Sequence, residues 1–166
     1  RLEVEAMRDS LLLISGQLDL KMAGRSVEGA SDPNNHRRTI YGLVDRQDLP
    51  AFYRAFDFAA PDQCAERRPR TTVPQQALFA LNSPFVMEQA RALAARPEIL
   101  RETKPGNRVT ALFRRVLGRS PTKNEITSAL QFIDVANYDE QSETDLMPWE
   151  QFAQVLLISN EAIFVD

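Results

Sequence analysis

The stretch TTVPQQALFALNSPFVMEQA, residues Thr71–Ala90, has an apolar helical pattern that is interrupted at 82–84 by a polar dipeptide and a proline. A proline inside a helix removes one backbone hydrogen bond and clashes with the preceding turn, at a cost of about 3 kcal/mol. This cost is avoided if Ser83 is the N-cap of a new helix and Pro84 is its first residue. The sequence therefore predicts two helices that meet at a sharp corner. They are expected to cover 73–81 and 84–95.

The side chains at this corner have expected roles. The Ser83 hydroxyl should accept a hydrogen bond from a backbone N–H of the second helix, and such a cap contributes about 1 kcal/mol. We expect four apolar residues to fill the inside of the corner: Phe79, Leu81, Phe85 and Val86. Asn82 and Ser83 are also a candidate polar site, because N–H groups at a helix start favour an anion. The capping interpretation is favoured, since no base for a serine nucleophile lies nearby in the sequence.

Capping and stop signals predict where several helices begin and end. A Ser or Thr followed three residues later by Glu or Gln forms a capping box, and a glycine after an apolar pattern ends a helix. Apolar residues also recur at helical spacing in 2–16 and 107–118, and Asp48 is a candidate cap for a short helix. The capping boxes are Thr72–Gln75 and Thr122–Glu125, the stops are Gly16 and Gly118, and a last helix starts at Pro148.

The remaining segments lack helical periodicity. Residues 24–38 and 59–70 are rich in loop-forming residues, and 137–145 is an acidic linker. Leu18–Met22 and Ile40–Val44 have short β-like patterns. The sequence thus predicts an all-α fold, mainly a helical bundle, with irregular loops and at most one small two-stranded element. At 166 residues we expect one helical domain over 1–166.

Bulk composition excludes several classes of function. A net charge of −3 and a pI near 5.3 argue against nucleic-acid binding, because phosphate neutralisation needs a basic surface. No apolar run approaches the roughly 20 residues that cross a bilayer, so we expect no membrane insertion by this segment. Cys64 is the only cysteine, which excludes haem attachment, iron–sulfur clusters and multi-cysteine zinc sites formed by this segment. We therefore expect no cofactor and no metal in it.

One histidine and two arginine groups are the other chemistry candidates. His36, beside Asp32, is the only histidine, and it can act as a general base when a carboxylate orients it. Arginine forks suit planar anions, but they equally suit salt bridges that attach loops to helices. For His36 and for the arginines we favour a structural role over a catalytic or ligand-binding one. The candidate anion-binding residues are Arg37, Arg38, Arg67, Arg68 and Arg70.

Five segments carry a family resemblance. They are RLEVEAMRDSLLLISGQLDLKMAG, RRTIYGLVDRQDLPAFYRAFDFAAPD, TTVPQQALFALNSPFVMEQARALA, LFRRVLGRSPTKNE and VLLISNEAIFVD. In this order they resemble the C-terminal domain of unknown function of the large cytochrome-c-like proteins of planctomycetes. The resemblance implies the C-terminal portion of that domain within a longer, exported protein, with haem c in upstream parts. The first residue, Arg1 rather than Met, fits a piece of a longer chain.

No catalytic residue is implied by this resemblance. We therefore expect a non-catalytic interaction or scaffold module of an exported, redox-linked multidomain protein. Its partners would be other domains of the same chain or a separate protein. Two alternatives stay open: a module that binds anions or acidic polysaccharides through the arginines, and a hydrolase or lyase that uses loop residues around His36.

Overall fold

The computed structural model describes residues 1–62, 64, 66, 68, 71, 74–138 and 145–164. Within these ranges the regular structure is helical and no β-strand occurs, which confirms the predicted all-α fold. The α-helices among the described residues are α1 Val4–Ser15, α2 Ala51–Ala55, α3 Pro74–Asn82, α4 Pro84–Ala94, α5 Pro97–Leu100, α6 Pro105–Leu117, α7 Lys123–Tyr138, α8 Pro148–Leu157 and α9 Asn160–Ile163.

The helix boundaries follow local backbone chemistry. Gly16 and Gly118 end α1 and α6 in the left-handed conformation that glycine tolerates best, with φ of 84° and 70°. In α7 the predicted capping box is present. The backbone N–H of Thr122 donates to the Glu125 carboxylate, and the Glu125 N–H donates to the Thr122 hydroxyl. The equivalent box at Thr72 lies outside the described residues.

The corner between α3 and α4 lies at Ser83, as predicted. Pro84 is the first residue of α4, and Ser83 has the extended backbone of an N-cap. The predicted hydrogen bond from a backbone N–H of α4 to the Ser83 hydroxyl is wrong, because the Ser83 side chain makes no capping hydrogen bond. The corner filling is also only partly correct. Phe85 and Val86 are buried, but Leu81 is 40% exposed because α3 turns that face outward.

A Ser83→Ala variant should therefore unfold with nearly the parent stability. Since no capping bond is lost, we expect a change within about 0.5 kcal/mol rather than the usual ~1 kcal/mol of a serine cap. Urea unfolding followed by circular dichroism measures the difference. Ser159→Ala is the matched control, because the Ser159 hydroxyl does accept from the Ala162 N–H, at 3.4 Å. Equal losses in both variants would contradict this assignment.

Two local predictions fail in the segments that connect the helices. Residues 39–41 form a 3-10 turn instead of a strand. Single bridges between Asp19 and Arg37 and between Val27 and Gly42 are the β-type pairings found in the described residues. Asp48 does not cap α2, whose N-cap is Pro50. The β-like pattern of Ile40–Val44 does not decide its conformation, because contacts with α1 order the loop between α1 and α2. The linker residues 139–144 lie outside the described part of the chain.

Two apolar clusters form the core, and α1 contributes to both. Leu11 and Leu12 pack in the larger cluster, where α4 lies against α8, while Val4 and Met7 pack in the smaller cluster with α2. Helix α1 therefore joins the bundle to the region where the long loop is placed.

An ion-pair group joins the start of α7 to α9. Arg119 donates to Glu125 at 2.6 Å and 3.0 Å and to Glu161 at 2.6 Å and 2.8 Å. The hydrogen bond from Arg119, followed by that from the Thr122 N–H, lowers the pKa of Glu125 from 4.5 to about 2. Because the folded pKa lies below the unfolded one, this stabilisation is present above about pH 4.5 and is lost as the pH falls towards 2.

The difference in Tm between the parent and a Glu125→Gln variant should therefore shrink when the pH is lowered from 7 to 3. The three side chains are at the surface, so the effect at pH 7 is modest. Thermal melts at both pH values check it, with Glu88→Gln as a control at a longer, 3.5 Å ion pair within α4. A difference that is constant with pH would contradict the proposed linkage.

Candidate functional site

A buried arginine on α1 organises the long loop between α1 and α2. Arg8 is 1% exposed. Its guanidinium donates to the backbone carbonyls of Ala30 at 2.7 Å and Arg37 at 2.7 Å, and also to that of Asn35. It also lies over the Phe85 ring, 5.0 Å from the centroid. Burial lowers the pKa of Arg8, but arginine keeps its charge at neutral pH. Its donor fork therefore holds three points of the loop at once.

The neighbouring residue, Asp9, holds the end of the same loop. Its Oδ1 accepts from the Thr39 N–H and the Thr39 hydroxyl, both at 2.7 Å. Its Oδ2 accepts from Arg38 at 3.3 Å. The dipeptide Arg8-Asp9 thus places 30–39 against α1, and with it most of the predicted loop candidates.

His36 and Asp32 line one open groove of about 520 Å³, together with Arg37. Asp32 accepts from the Asn34 N–H at 2.9 Å, and the His36 carbonyl accepts from the Asp19 N–H at 2.9 Å. Within the described residues no hydrogen bond joins the His36 imidazole to a carboxylate. The fold brings this trio together, and its chemical role stays a prediction.

The candidate arginines that the structure describes are engaged with other protein groups. Arg37 donates to the carbonyls of Lys21 and Ala23 and stacks over Tyr41 at 4.1 Å. Arg38 pairs with Asp9. Arg68 pairs with Glu5 at 2.7 Å and Glu3 at 3.4 Å, and it lies over the Phe58 ring. These contacts fit the attachment of loops to the bundle. Arg67 and Arg70 lie outside the described residues.

Asn82 and Ser83 line a separate groove at the α3–α4 corner, which we call the corner groove. The Asn82 side-chain amide donates to the Leu78 carbonyl at 3.0 Å, and Ser83 is buried. The loop contributes Ser31 and Pro33 to the opposite wall. The residues that line the corner groove are Ser31, Pro33, Gln75, Leu78, Phe79, Asn82, Ser83 and Pro84.

A third groove, the α1 groove, was not predicted from the sequence. It lies between α1, the 3-10 turn and α2, and Tyr53 and Glu5 line its wall. Tyr53 is 1% exposed, and burial raises its pKa, so its hydroxyl stays protonated at neutral pH. The available signal was the i, i+4 pair Glu5 and Asp9 on α1, but nothing near it in the sequence identified Tyr53. The lining residues are Glu3, Glu5, Ala6, Asp9, Arg38, Thr39, Ile40, Gly42, Val44, Tyr53 and Phe58.

Gly42 is required by the close approach of Tyr53. A Cβ at residue 42 would lie 2.2 Å from the Tyr53 hydroxyl oxygen and 3.0 Å from the Thr39 carbonyl oxygen. Because the buried tyrosine ring has little room to move, Gly42→Ala should lower the free energy of unfolding by about 1–3 kcal/mol. Urea unfolding measures it. The double variant Gly42→Ala/Tyr53→Phe should recover part of the loss, and an undiminished loss would show that the clash is not with the hydroxyl.

Metal-ligand clusters and membrane-spanning helices do not occur in the described part of the chain. No group of three His, Cys, Asp or Glu side chains in that part of the chain is arranged to hold a metal ion. No described helix has the length and apolar character needed to cross a bilayer.

A comparison with protein-family models identifies the family. The model for PSD1, a protein of unknown function (DUF1553), matches residues 1–133. The chain belongs to the PSD1 family. No curated protein and no solved structure gives a significant match. The PSD1 match covers α1 to α6, both loops and most of α7, and with them all three grooves.

Proposed function

We propose that this PSD1 domain is a non-catalytic interaction module and that the corner groove is its binding surface. The observation that carries the proposal is the uncharged and partly apolar lining of that groove. None of the eight lining residues that the structure describes is charged, although 26% of the whole chain is charged. Leu78, on its wall, is 56% exposed. A groove of this kind matches an apolar, uncharged polypeptide segment rather than an ion.

The geometry of α3 explains why this surface is apolar. The helix buries Gln76 and Ala80 and leaves Leu78 and Leu81 at the surface. A surface helix of a bundle usually buries its leucines, so the reversed arrangement indicates a face that another element covers. The amides of Gln75 and Asn82 flank the apolar residues and offer hydrogen bonds to a peptide backbone.

We propose that the polypeptide segment that binds in the corner groove belongs to another domain of the same longer protein. Support for this choice comes from the resemblance of the five sequence segments, which implies a multidomain, exported planctomycete protein with haem c upstream. Contacts between domains of one chain commonly use modest apolar patches with polar edges. The anion-binding alternative gains less support, because Arg38 and Arg68 already pair with carboxylates.

Site-specific photocross-linking in the complete protein tests the proposal. A photoreactive phenylalanine analogue at Leu78 should cross-link to a peptide from another domain of the same chain, identified by mass spectrometry. The same analogue at Leu100 is the matched control, since Leu100 on α5 is also 56% exposed. No cross-link at Leu78, or equal cross-linking at both sites, would refute the interaction surface. A cross-link to a separate protein would refute the intramolecular assignment.

A further inference from the structure

Positive charge is concentrated in one short segment of this acidic chain. Residues 103–124 contain no Asp or Glu, and the cations in this segment are Lys104, Arg108, Arg114, Arg115, Arg119 and Lys123. The whole chain has a net charge of −3, so the other residues together carry −9. The segment forms α6 and the start of α7. A surface of one sign on a chain of the opposite net sign attracts molecules that carry the complementary charge.

Most of these cations are not neutralised by a carboxylate. Within the described residues, Arg119 is the only one of the six that forms a salt bridge, and its partners are Glu125 and Glu161. Lys104 and Lys123 are exposed to solvent. The remaining three are the arginines of α6, and their positive charges also lack a carboxylate partner in the described part of the chain.

The three arginines of α6 donate hydrogen bonds to neutral acceptors. Arg108 donates to the Ala94 carbonyl at 3.4 Å, and Arg114 donates to the Ser120 hydroxyl at 3.1 Å. Arg115 donates to two carbonyls at the end of α1. These bonds attach α6 to the ends of α1 and α4, but a carbonyl or hydroxyl group carries no charge. Because each guanidinium has five N–H donors, positive charge and unused donors remain on this helix.

The basic residues of α6 lie on the outer face of the helix. Asn107, Ala111 and Arg114 are separated by steps of four and three residues, and Arg108 and Arg115 flank the same row. Lys104, the N-cap residue, extends this face at the start of the helix. Lys104, Asn107 and Arg114 are exposed, and the other three are partly exposed. We call these six residues the basic face of α6, which extends over about 16 Å.

We propose that the basic face of α6 binds an acidic polysaccharide, whose carboxylate or sulfate groups pair with the arginines. Guanidinium groups form strong, charge-assisted hydrogen bonds with such oxyanions. The basic face also lacks an apolar anchor, because none of the exposed large apolar side chains of the described residues lies on α6. Protein–protein interfaces usually have a core of apolar and aromatic side chains. A hydrophilic polymer therefore fits this face better than a protein surface does.

A polysaccharide also fits this face better than a nucleic acid does. Double-stranded DNA carries one charge per about 1.7 Å of its axis, and proteins that bind it present a basic patch or stripe on a basic domain. The basic face of α6 is one helix wide, with four cations, on a chain whose net charge is −3. A polysaccharide separates its charges by sugar rings, and its hydroxyl groups can accept from the unused N–H donors. The basic face shares no residue with the corner groove, so this inference is independent of the proposed function.

NMR titrations of the chain with dextran sulfate, polygalacturonate and uncharged dextran test the proposal. Dextran sulfate or polygalacturonate should cause saturable shifts in the backbone amides of residues 104–115, and uncharged dextran should not. Raising NaCl from about 20 mM to about 300 mM should weaken the binding at least tenfold, because salt screens exposed charges. Lys104→Ala/Arg114→Ala should weaken it about fivefold, the loss expected for two exposed charge contacts.

A matched control separates this surface from a nonspecific charge effect. Lys21→Ala/Arg46→Ala removes the same two kinds of charge at exposed positions outside the basic face, and it should leave the Kd nearly unchanged. Thermal melts check that both double variants remain folded. The proposal is overturned if neither acidic polysaccharide binds, if uncharged dextran binds equally well, or if both double variants weaken the binding to the same extent. Tighter binding of a DNA duplex or of polyglutamate than of either polysaccharide would also overturn it, because the ligand would then be a nucleic acid or an acidic polypeptide.

Discussion

An Arg8→Ala variant is expected to lose about 3 kcal/mol or more of its free energy of unfolding, because three backbone carbonyls lose their donor. A buried acceptor without a partner costs about 1–3 kcal/mol, and the acceptor residues Ala30, Asn35 and Arg37 lie along one loop. Urea unfolding measures the total loss. Hydrogen exchange should show the largest loss of protection in the amides of residues 30–39, which Arg8 and Asp9 hold against α1.

A less buried arginine that bonds fewer carbonyls provides the comparison for Arg8. Arg115 also donates to two backbone carbonyls, those of Leu13 at 2.6 Å and Ile14 at 2.8 Å, but it is not buried like Arg8. Arg115→Ala should therefore cost no more than about 1 kcal/mol, since water can replace its bonds. Arg8→Lys should fail to restore stability, because an ammonium group lacks the planar fork that reaches three carbonyls. An Arg8→Ala loss as small as that of Arg115→Ala would refute the proposed role.

Phe85→Ala should have an effect of similar size, about 3–5 kcal/mol, because a fully buried aromatic ring is removed from the core. Phe85 is 1% exposed and belongs to the larger apolar cluster. It also borders a small apolar cavity of about 20 Å³ that Met7 and Phe52 of the smaller cluster line. The space left by the ring would join this cavity. The neighbouring side chains could then fill only part of the enlarged cavity, which keeps the cost of the substitution high.

Phe132→Ala is the matched control, because Phe132 on α7 is 39% exposed and its ring lies 6.3 Å from that of Phe152. Its loss should be clearly smaller in the same calorimetric or urea measurement. The double variant Arg8→Ala/Phe85→Ala should lose less than the sum of the single variants, since the guanidinium lies against the ring. Additive losses would show that this contact contributes little.

Helix boundaries in this chain depend on residues that are close together in the sequence. Pro84 and Pro148 begin helices because the first helical position needs no N–H donor. Gly16 and Gly118 end helices because they tolerate positive φ. The Thr122–Glu125 box needs only residues three apart. These rules act within one helical turn, so the helical fold and the corner at Ser83 could be predicted from the sequence alone.

The sites depend on contacts between distant segments, which no local pattern encodes. The sequence pattern of α1 predicts Arg8 at the surface of an amphipathic helix. Arg8 is buried because a loop more than twenty residues away in the sequence packs over it. Tyr53 meets Gly42 only after α2 has docked beside α1. Leu78 and Leu81 point outward because the burial of Gln76 and Ala80 fixes the rotation of α3. Burial and pairing follow from which surfaces meet, and that is decided only when the whole chain packs.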